Sequence, residues 1–179
     1  MTHGRKSRDA FEGHRVSLEV QVSEHACELF EVLRDAAIYR YIDDTPPASV
    51  ERLAERLRLL EEGRSPDGKE LWLNWAVRHP GGRLIGYVQS TVYPEQWADV
   101  AYVLASKFWG RGFAYQACSQ MLDSLRKQHA VHTSYAITSV ENARSKRLLI
   151  RLGFDQIPAE NYPGESPTSS ETVWRKVLV

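Results

Sequence analysis

Apolar and polar residues alternate over short stretches of the chain, and a period of two residues predicts β-strands. In the first stretch, Arg15 to Val22, the apolar residues Val16, Leu18 and Val20 occupy every second position. The other strand-like stretches are Glu70–Arg78, Arg83–Val92, Val100–Ala105, Val131–Val140, Phe154–Ile157 and Glu171–Leu178. The pattern therefore predicts seven strands.

Four further stretches repeat apolar residues every three or four positions, which predicts amphipathic helices. They are Ser23–Arg34, Ser49–Gly63, Phe113–Gln128 and Asn142–Leu152. Pro46 and Pro47 separate the first two helices, and residues 159–170, rich in Pro, Gly and Ser, form a predicted loop. The order β-α-α-β-β-β-α-β-α-β-β predicts one α/β domain with a mixed sheet flanked by helices.

One junction between a predicted strand and a predicted helix is rich in small residues. The segment from Trp109 to Ala114 reads W-G-R-G-F-A, and glycines such as Gly110 and Gly112 allow the backbone to approach a ligand closely. The first amides of the following helix lack partners and attract anions, and Arg111 adds a positive charge. This arrangement suits a pyrophosphate, although the segment matches neither a P-loop nor a G-x-G-x-x-G turn. A tight connection with glycine for packing would use the same residues.

A second segment, E-N-A-R-S, follows the strand-like stretch that ends at Val140, and a short helix then closes at Gly153 and Phe154. With both segments in this order, the chain resembles the GNAT superfamily of acyl-CoA-dependent N-acetyltransferases. The positions that match the two family motifs are Trp109, Gly112 and Ala114 in the first, and Asn142, Ser145, Leu148, Gly153 and Phe154 in the second. Trp109 replaces the usual Gln or Arg, which looks like the RimJ/RimL branch. The resemblance extends over about Val16 to Val179 and is specific between Asp99 and Phe154.

The resemblance implies acetyl-CoA as co-substrate, no metal, and a mostly antiparallel sheet whose central strands splay apart to admit the cofactor. It also implies that the strand before the turn offers backbone groups to the pantetheine arm and to the thioester carbonyl. The candidate cofactor-binding residues are Val103, Leu104, Ala105, Trp109, Gly110, Arg111, Gly112, Phe113, Ala114 and Asn142. As the first residue of its helix, Asn142 is also a candidate N-cap.

The candidate catalytic residues are Ser145 and Asp99. Many family members carry a tyrosine as general acid at the position of Leu149, which has no proton to give. Ser145, one turn earlier, or a water molecule is therefore the expected donor to the leaving thiolate. Asp99 is the candidate base and Glu141 is an alternative, while a solvated carboxylate at a strand edge would look the same.

Composition narrows the choice of partners and compartment. The chain of 179 residues has 23 basic and 23 acidic side chains, so no overall charge favours nucleic acid or an anionic membrane. It has no apolar run long enough to span a bilayer. Residues 1–14 are polar, without the apolar core of a signal peptide, and are predicted to be a disordered tail before a domain at 15–179. Cys27 and Cys118, predicted as buried reduced thiols, favour the cytoplasm.

These expectations lead to an N-acetyltransferase that moves an acetyl group from acetyl-CoA to a primary amine in a ternary complex. The acceptor would be a protein N-terminus or a small amine, and a homodimer is compatible with the resemblance. The alternative is a domain that binds acyl-CoA as a sensor or scaffold without catalysis, which is motivated by Leu149 in place of the usual acid and by a candidate base that a solvated carboxylate would resemble. A simple nucleotide-phosphate binder would leave the E-N-A-R-S segment unexplained.

Overall fold

The computed structural model describes residues 15–178, and the predicted tail at residues 1–14 lies outside them. The described chain forms one α/β domain, as predicted. Its strands are β1 (Ser17–Val20), β2 (Leu71–Arg78), β3 (Leu84–Val92), β4 (Trp97–Leu104), β5 (Thr133–Ser139), β6 (Asp155–Ile157) and β7 (Glu171–Val177). Its helices are α1 (Ala26–Leu33), α2 (Val50–Glu61), α3 (Phe113–His129) and α4 (Ala143–Leu152). None of these helices is long and apolar enough to cross a membrane.

The seven strands form one sheet in the order β1-β2-β3-β4-β5-β7-β6. Every neighbouring pair is antiparallel except β4 and β5, which run parallel. These two strands pair only where Trp97–Asp99 faces Thr133–Tyr135, and beyond this point they separate. The predicted splay at the centre of the sheet is therefore confirmed.

The splay gives β4 two faces with different surroundings, because successive side chains of a strand point to opposite faces. Tyr102 lies on the face covered by α3 and α4, where its hydroxyl meets Ser145 of α4. Asp99, three positions earlier, therefore points to the opposite face. There it lies beside Tyr135, its neighbour in the parallel pairing. We call the first the helix face and the second the far face.

Strands β3 and β4 approach each other very closely at Gly86. A Cβ atom at this position would lie 2.0 Å from the carbonyl oxygen of Val103 and 2.8 Å from the Cα atom of Leu104. Only glycine leaves room for this contact. Gly86 thereby brings the first residues of β3 against the part of β4 that borders the splay.

Two predictions about the first helical segment are wrong. The helix predicted over Ser23–Arg34 starts later than expected, because Ser23–His25 form a short 3-10 turn and α1 begins only at Ala26. Cys27 on α1 was predicted to be buried but is exposed, whereas Cys118 on α3 is buried as predicted. Both cysteines are free.

Candidate active site

A cleft of about 390 Å³ opens at the carboxyl end of β4, between α3, α4 and the loop after α1. Most of the predicted cofactor-binding residues line it: Leu104, Trp109, Gly110, Gly112, Phe113, Ala114 and Asn142. The predicted catalytic residue Ser145 also lines it, together with Tyr102 and the residues Ala37, Ile38, Tyr41 and Ile42 in and after the 3-10 helix Ala36–Tyr41 that follows α1. The two separate sequence segments therefore meet in one cleft.

The N-terminus of α3 presents unpaired amides to this cleft. The first helical hydrogen bond runs from the Gln116 N–H to the Gly112 carbonyl, and no side chain caps the helix. The N–H groups of residues 113–115 therefore remain available to an anion. Gly110 and Gly112 have φ angles of 74° and 82°, and a Cβ atom at either position would meet nothing within 4 Å. The open space and the free amides fit a bound phosphate group.

Trp109 connects the turn to both neighbouring elements. Its indole N–H donates to the Leu104 carbonyl at 2.7 Å, and the Arg144 guanidinium of α4 lies 3.8 Å from the centre of its ring. Two turns further along α4, the Arg151 guanidinium lies 4.3 Å from the centre of the ring of Tyr115, in the first turn of α3. These contacts hold two cations at the rim of the cleft. Arg111, predicted as part of the cofactor site, is exposed and does not line it.

The register of β4 decides which of its backbone groups face the splay. The Ala105 N–H donates to the Ile85 carbonyl of the neighbouring chain segment, so it is already occupied. Because antiparallel pairing alternates, Val103 also directs its N–H and C=O toward β3, whereas Tyr102 and Leu104 direct theirs toward the open side. Val103 and Ala105, both predicted as cofactor-binding residues, are not among the residues that line the cleft.

Ser145 is held in place through both its main chain and its side chain. The Asn142 side chain caps α4 by accepting from the Ser145 N–H at 3.0 Å, which confirms its predicted capping role. The Ser145 hydroxyl lies 2.6 Å from the Tyr102 hydroxyl, and burial raises the pKa of Tyr102. Leu149, at the position of the usual family tyrosine, is buried with 1% of its surface exposed.

Tyr102 was missed by the sequence analysis. The only signal in the sequence is its position in β4, where its side chain points to the face that α3 and α4 cover. Nothing in the local sequence shows that a serine 43 residues later comes within hydrogen-bond distance of it.

Asp99 lies in a different cavity from Ser145. This second cavity, of about 240 Å³, opens on the far face and is lined by Gln89, Ser90, Thr91, Asp99, Val100, Ala101, Ile137 and Tyr162. The hydroxyls of Tyr162 and Tyr93 donate to Oδ2 of Asp99 at 2.7 and 3.1 Å. Its Oδ1 is buried without a partner in the described chain. Burial raises the pKa of Asp99, and the two tyrosine hydrogen bonds oppose part of this effect.

The alternative base, Glu141, is exposed at the start of α4 and lines neither cavity. Within residues 15–178, no three His, Cys, Asp or Glu side chains come together as a metal site. The two cavities lie on opposite faces of β4, with a hydroxyl pair on the helix face and, where the pairing with β5 ends, a carboxyl group on the far face. This arrangement can bind an anionic ligand on one face and a proton-donating ligand on the other.

The chain matches a family model described as an acetyltransferase (GNAT) domain over residues 15–155. Similar solved structures include the ribosomal-protein-S5-alanine acetyltransferase from Vibrio fischeri, with 20% identity, a TM-score of 0.76, and 92% of this chain and 93% of that chain covered. Spermidine N-acetyltransferase from Vibrio cholerae, solved with CoA and spermine, has 20% identity, a TM-score of 0.72, and 92% and 96% coverage.

A third similar structure is the acetyl transferase from Salmonella typhimurium that modifies the N-terminal serine of ribosomal protein L7/L12. It has 15% identity, a TM-score of 0.74, and 92% and 96% coverage. At these identities the three structures support the fold, while the family model spans most of the chain. The protein therefore belongs to the GNAT acetyltransferase family.

Proposed function

We propose that the protein transfers an acetyl group from acetyl-CoA directly to a primary amine, with both substrates bound at once. The observation that supports this most is the continuous path in the cleft, from the free amides of α3 along the open edge of β4 to Ser145. An anionic end, an extended strand edge and a terminal hydroxyl match the charged, amide-containing and reactive parts of an acyl-CoA.

The residues at the N-terminus of α3 would hold the pyrophosphate, because their N–H groups have no helical partners. The main chain of Tyr102 and the N–H of Leu104 would offer hydrogen bonds to the pantetheine arm, in the place of the absent β5 partner, while the Leu104 carbonyl already accepts from Trp109. Acetyl-CoA supplies an activated thioester when it is bound. Arg144 and Arg151, stacked on aromatic rings at the rim, would face its remaining phosphate charge.

Ser145 would assist departure of the thiolate by donating a hydrogen bond to the sulfur atom. A thiol of pKa about 8.5 leaves readily, so stabilisation of the developing charge is enough and full proton transfer is not needed. A donor that interacts more strongly with the developing thiolate than with the thioester lowers the barrier. Asn142 contributes by keeping the Ser145 main chain in the first turn of α4.

Asp99 is the proposed base on the far face. An amine of pKa about 8 costs about 1.4 kcal/mol to deprotonate at pH 7, whereas a lysine of pKa about 10.4 costs about 4.6 kcal/mol. A buried carboxyl group of raised pKa, with one oxygen lacking a partner, is a stronger base than an exposed one. We propose that the amine reaches the splay through this second cavity.

The acceptor class follows the RimJ/RimL branch that Trp109 indicates. Two structurally similar enzymes act on ribosomal proteins and one on spermidine. We therefore propose a protein N-terminus or a small polyamine as the acceptor. Either presents a primary amine on a flexible chain that could enter the far-face cavity.

The test is an assay for free CoA release with acetyl-CoA and a panel of N-terminal peptides, polyamines and aminoglycosides. We expect amine-dependent release with at least one acceptor, confirmed by the mass of the acetylated product. Tight acetyl-CoA binding without turnover on any acceptor would instead indicate a non-catalytic acyl-CoA sensor. The absence of acetyl-CoA binding would overturn both.

A further inference from the structure

The hydroxyl pair between β4 and α4 has a feature that the proposed role of Ser145 does not explain. Tyr102 and Ser145 both line the cleft, and their oxygens are only 2.6 Å apart. The cleft contains two more hydroxyl groups, on Tyr41 and Tyr115. Tyr102 is therefore the cleft tyrosine that directly contacts the proposed donor.

The chemistry of the two hydroxyls decides which one donates. A phenol is a better hydrogen-bond donor than an alcohol, and an alcohol is the better acceptor. Burial raises the pKa of Tyr102, so its hydroxyl keeps its proton throughout the neutral range. The favoured arrangement is thus Tyr102 O–H donating to Ser145 Oγ.

This arrangement leaves the proton of Ser145 free to point into the cleft. A hydroxyl that accepts a hydrogen bond also becomes a stronger donor, because hydrogen-bond chains polarise one another. Since the Ser145 N–H is already bonded to Asn142, the main chain and the side chain of Ser145 are each constrained by one partner. The hydroxyl hydrogen of Ser145 can still rotate about the Cβ–Oγ bond, and the hydrogen bond from Tyr102 restricts this rotation.

We infer that Tyr102 is a positioning residue that orients the Ser145 hydroxyl toward the leaving sulfur of CoA. The inference rests on the proposed function, because it needs CoA in this cleft. It explains how the chain functions with Leu149, which is buried and has no proton to donate. In place of a tyrosine hydroxyl at position 149 of α4, this chain would use the hydroxyl of Ser145 on α4, oriented by Tyr102 on β4.

The first test measures the thiol pKa of bound CoA, by thiolate absorbance during a pH titration, and needs no acceptor. A donor aimed at sulfur favours the thiolate, so Ser145→Ala should raise this pKa by about half a unit to one unit. Tyr102→Phe should raise it by part of that amount. The double variant should match Ser145→Ala, because Tyr102 acts through the serine hydroxyl.

The second test compares kinetic constants for a working amine with acetyl-CoA saturating. Tyr102→Phe should lower kcat about 3- to 10-fold with little change in KM for acetyl-CoA. In the Ser145→Ala background, the same change should lower kcat less than about 2-fold. Tyr39→Phe is the matched control, since it removes a hydroxyl that donates to the Leu33 carbonyl, and neither residue lines the cleft.

The outcomes separate this inference from the proposed function. If Ser145→Ala raises the thiol pKa and Tyr102→Phe does not, Tyr102 has no positioning role and the proposed function stands. Equal losses of kcat from Tyr102→Phe with and without the serine hydroxyl would also overturn the inference. If the wild-type protein does not bind CoA, the proposed function itself fails.

Discussion

Gly86 shows how the absence of one side chain determines the position of a strand next to the cleft. A Cβ atom there would overlap main-chain atoms of Val103 and Leu104, which cannot move without displacing β4. We expect Gly86→Ala to lower the free energy of unfolding by about 3 kcal/mol or more, because overpacking against a backbone is poorly relieved. Urea denaturation followed by circular dichroism measures this loss.

Gly68→Ala provides the comparison for Gly86. Gly68 has a φ angle of 75°, but a Cβ atom there would meet nothing within 4 Å. Its substitution should cost only the backbone strain of about 1 to 2 kcal/mol. A loss as large as that of Gly86→Ala would show that close contact between strands is not the cause.

Asp99, in the far-face cavity, makes the stability of the folded protein depend on pH. Its folded-state pKa is raised, so the folded protein retains the proton at pH values where the unfolded chain, with a pKa of about 3.9, has lost it. The contribution of Asp99 to stability is therefore full below about pH 4 and is lost as pH rises through its folded pKa. Asp99→Asn should become progressively more stable relative to the wild type across this window, as measured by urea denaturation at several pH values.

The same substitution tests the role of Asp99 in catalysis. If the carboxylate accepts the proton of the amine, Asp99→Asn should lower kcat/KM and remove the acidic limb of its pH profile. Asp155→Asn, at an exposed carboxyl group on β6, should leave the profile unchanged. An acidic limb that persists in Asp99→Asn would assign the base to another group.

At the scale of elements, the glycine at the N-terminus of α3 allows the effect of backbone strain to be distinguished from the effect on ligand binding. Gly112 and Gly82 both have φ angles above 80°, and a Cβ atom at either would meet nothing within 4 Å. Gly112 lines the cleft and Gly82 lies in the β2–β3 hairpin. Alanine at either position should therefore lower the free energy of unfolding by a similar amount, about 1 to 2 kcal/mol.

Only the change at Gly112 should weaken acetyl-CoA binding, measured by isothermal titration calorimetry. A side chain there would occupy the open space beside the free amides of α3. We expect Gly112→Val to weaken binding further, because a β-branched residue fits this backbone poorly. Unchanged affinity in both Gly112 variants would make the turn merely structural.

The sequence predicted elements best where short-range signals act alone. Asn142 was correctly predicted as a helix cap, because a cap needs only an N–H three residues later, and Ser49 was correctly predicted as the start of its helix. β4 begins at Trp97 rather than at the predicted Val100, since the polar Asp99 interrupts the apolar pattern. Tyr93 and Tyr162 donate to Oδ2 of Asp99 within the fold, and local sequence cannot show such tertiary partners.

At the scale of the whole molecule, periodicity predicted the order of elements and the family resemblance predicted the splay, but neither predicted the side-chain partners across it. The predicted loop at 159–170 contains Tyr162, whose hydroxyl reaches Asp99 from 63 residues away. Tyr102 and Ser145 are likewise brought together only by the packing of α4 on the sheet. Side-chain pairs from distant elements depend on this packing, which periodicity does not encode.

The short parallel pairing of β4 and β5 makes the molecule two antiparallel half-sheets joined by a narrow seam. Amide hydrogens along β4 should consequently exchange with solvent deuterium in an alternating pattern, which nuclear magnetic resonance resolves residue by residue. Ala101, Val103 and Ala105 should be protected by β3, while Tyr102 and Leu104 should exchange quickly in the free protein. Of these five amides, only those of Tyr102 and Leu104 should exchange more slowly when acetyl-CoA is added, since the cofactor would hydrogen-bond to the edge of β4 that β5 leaves unpaired.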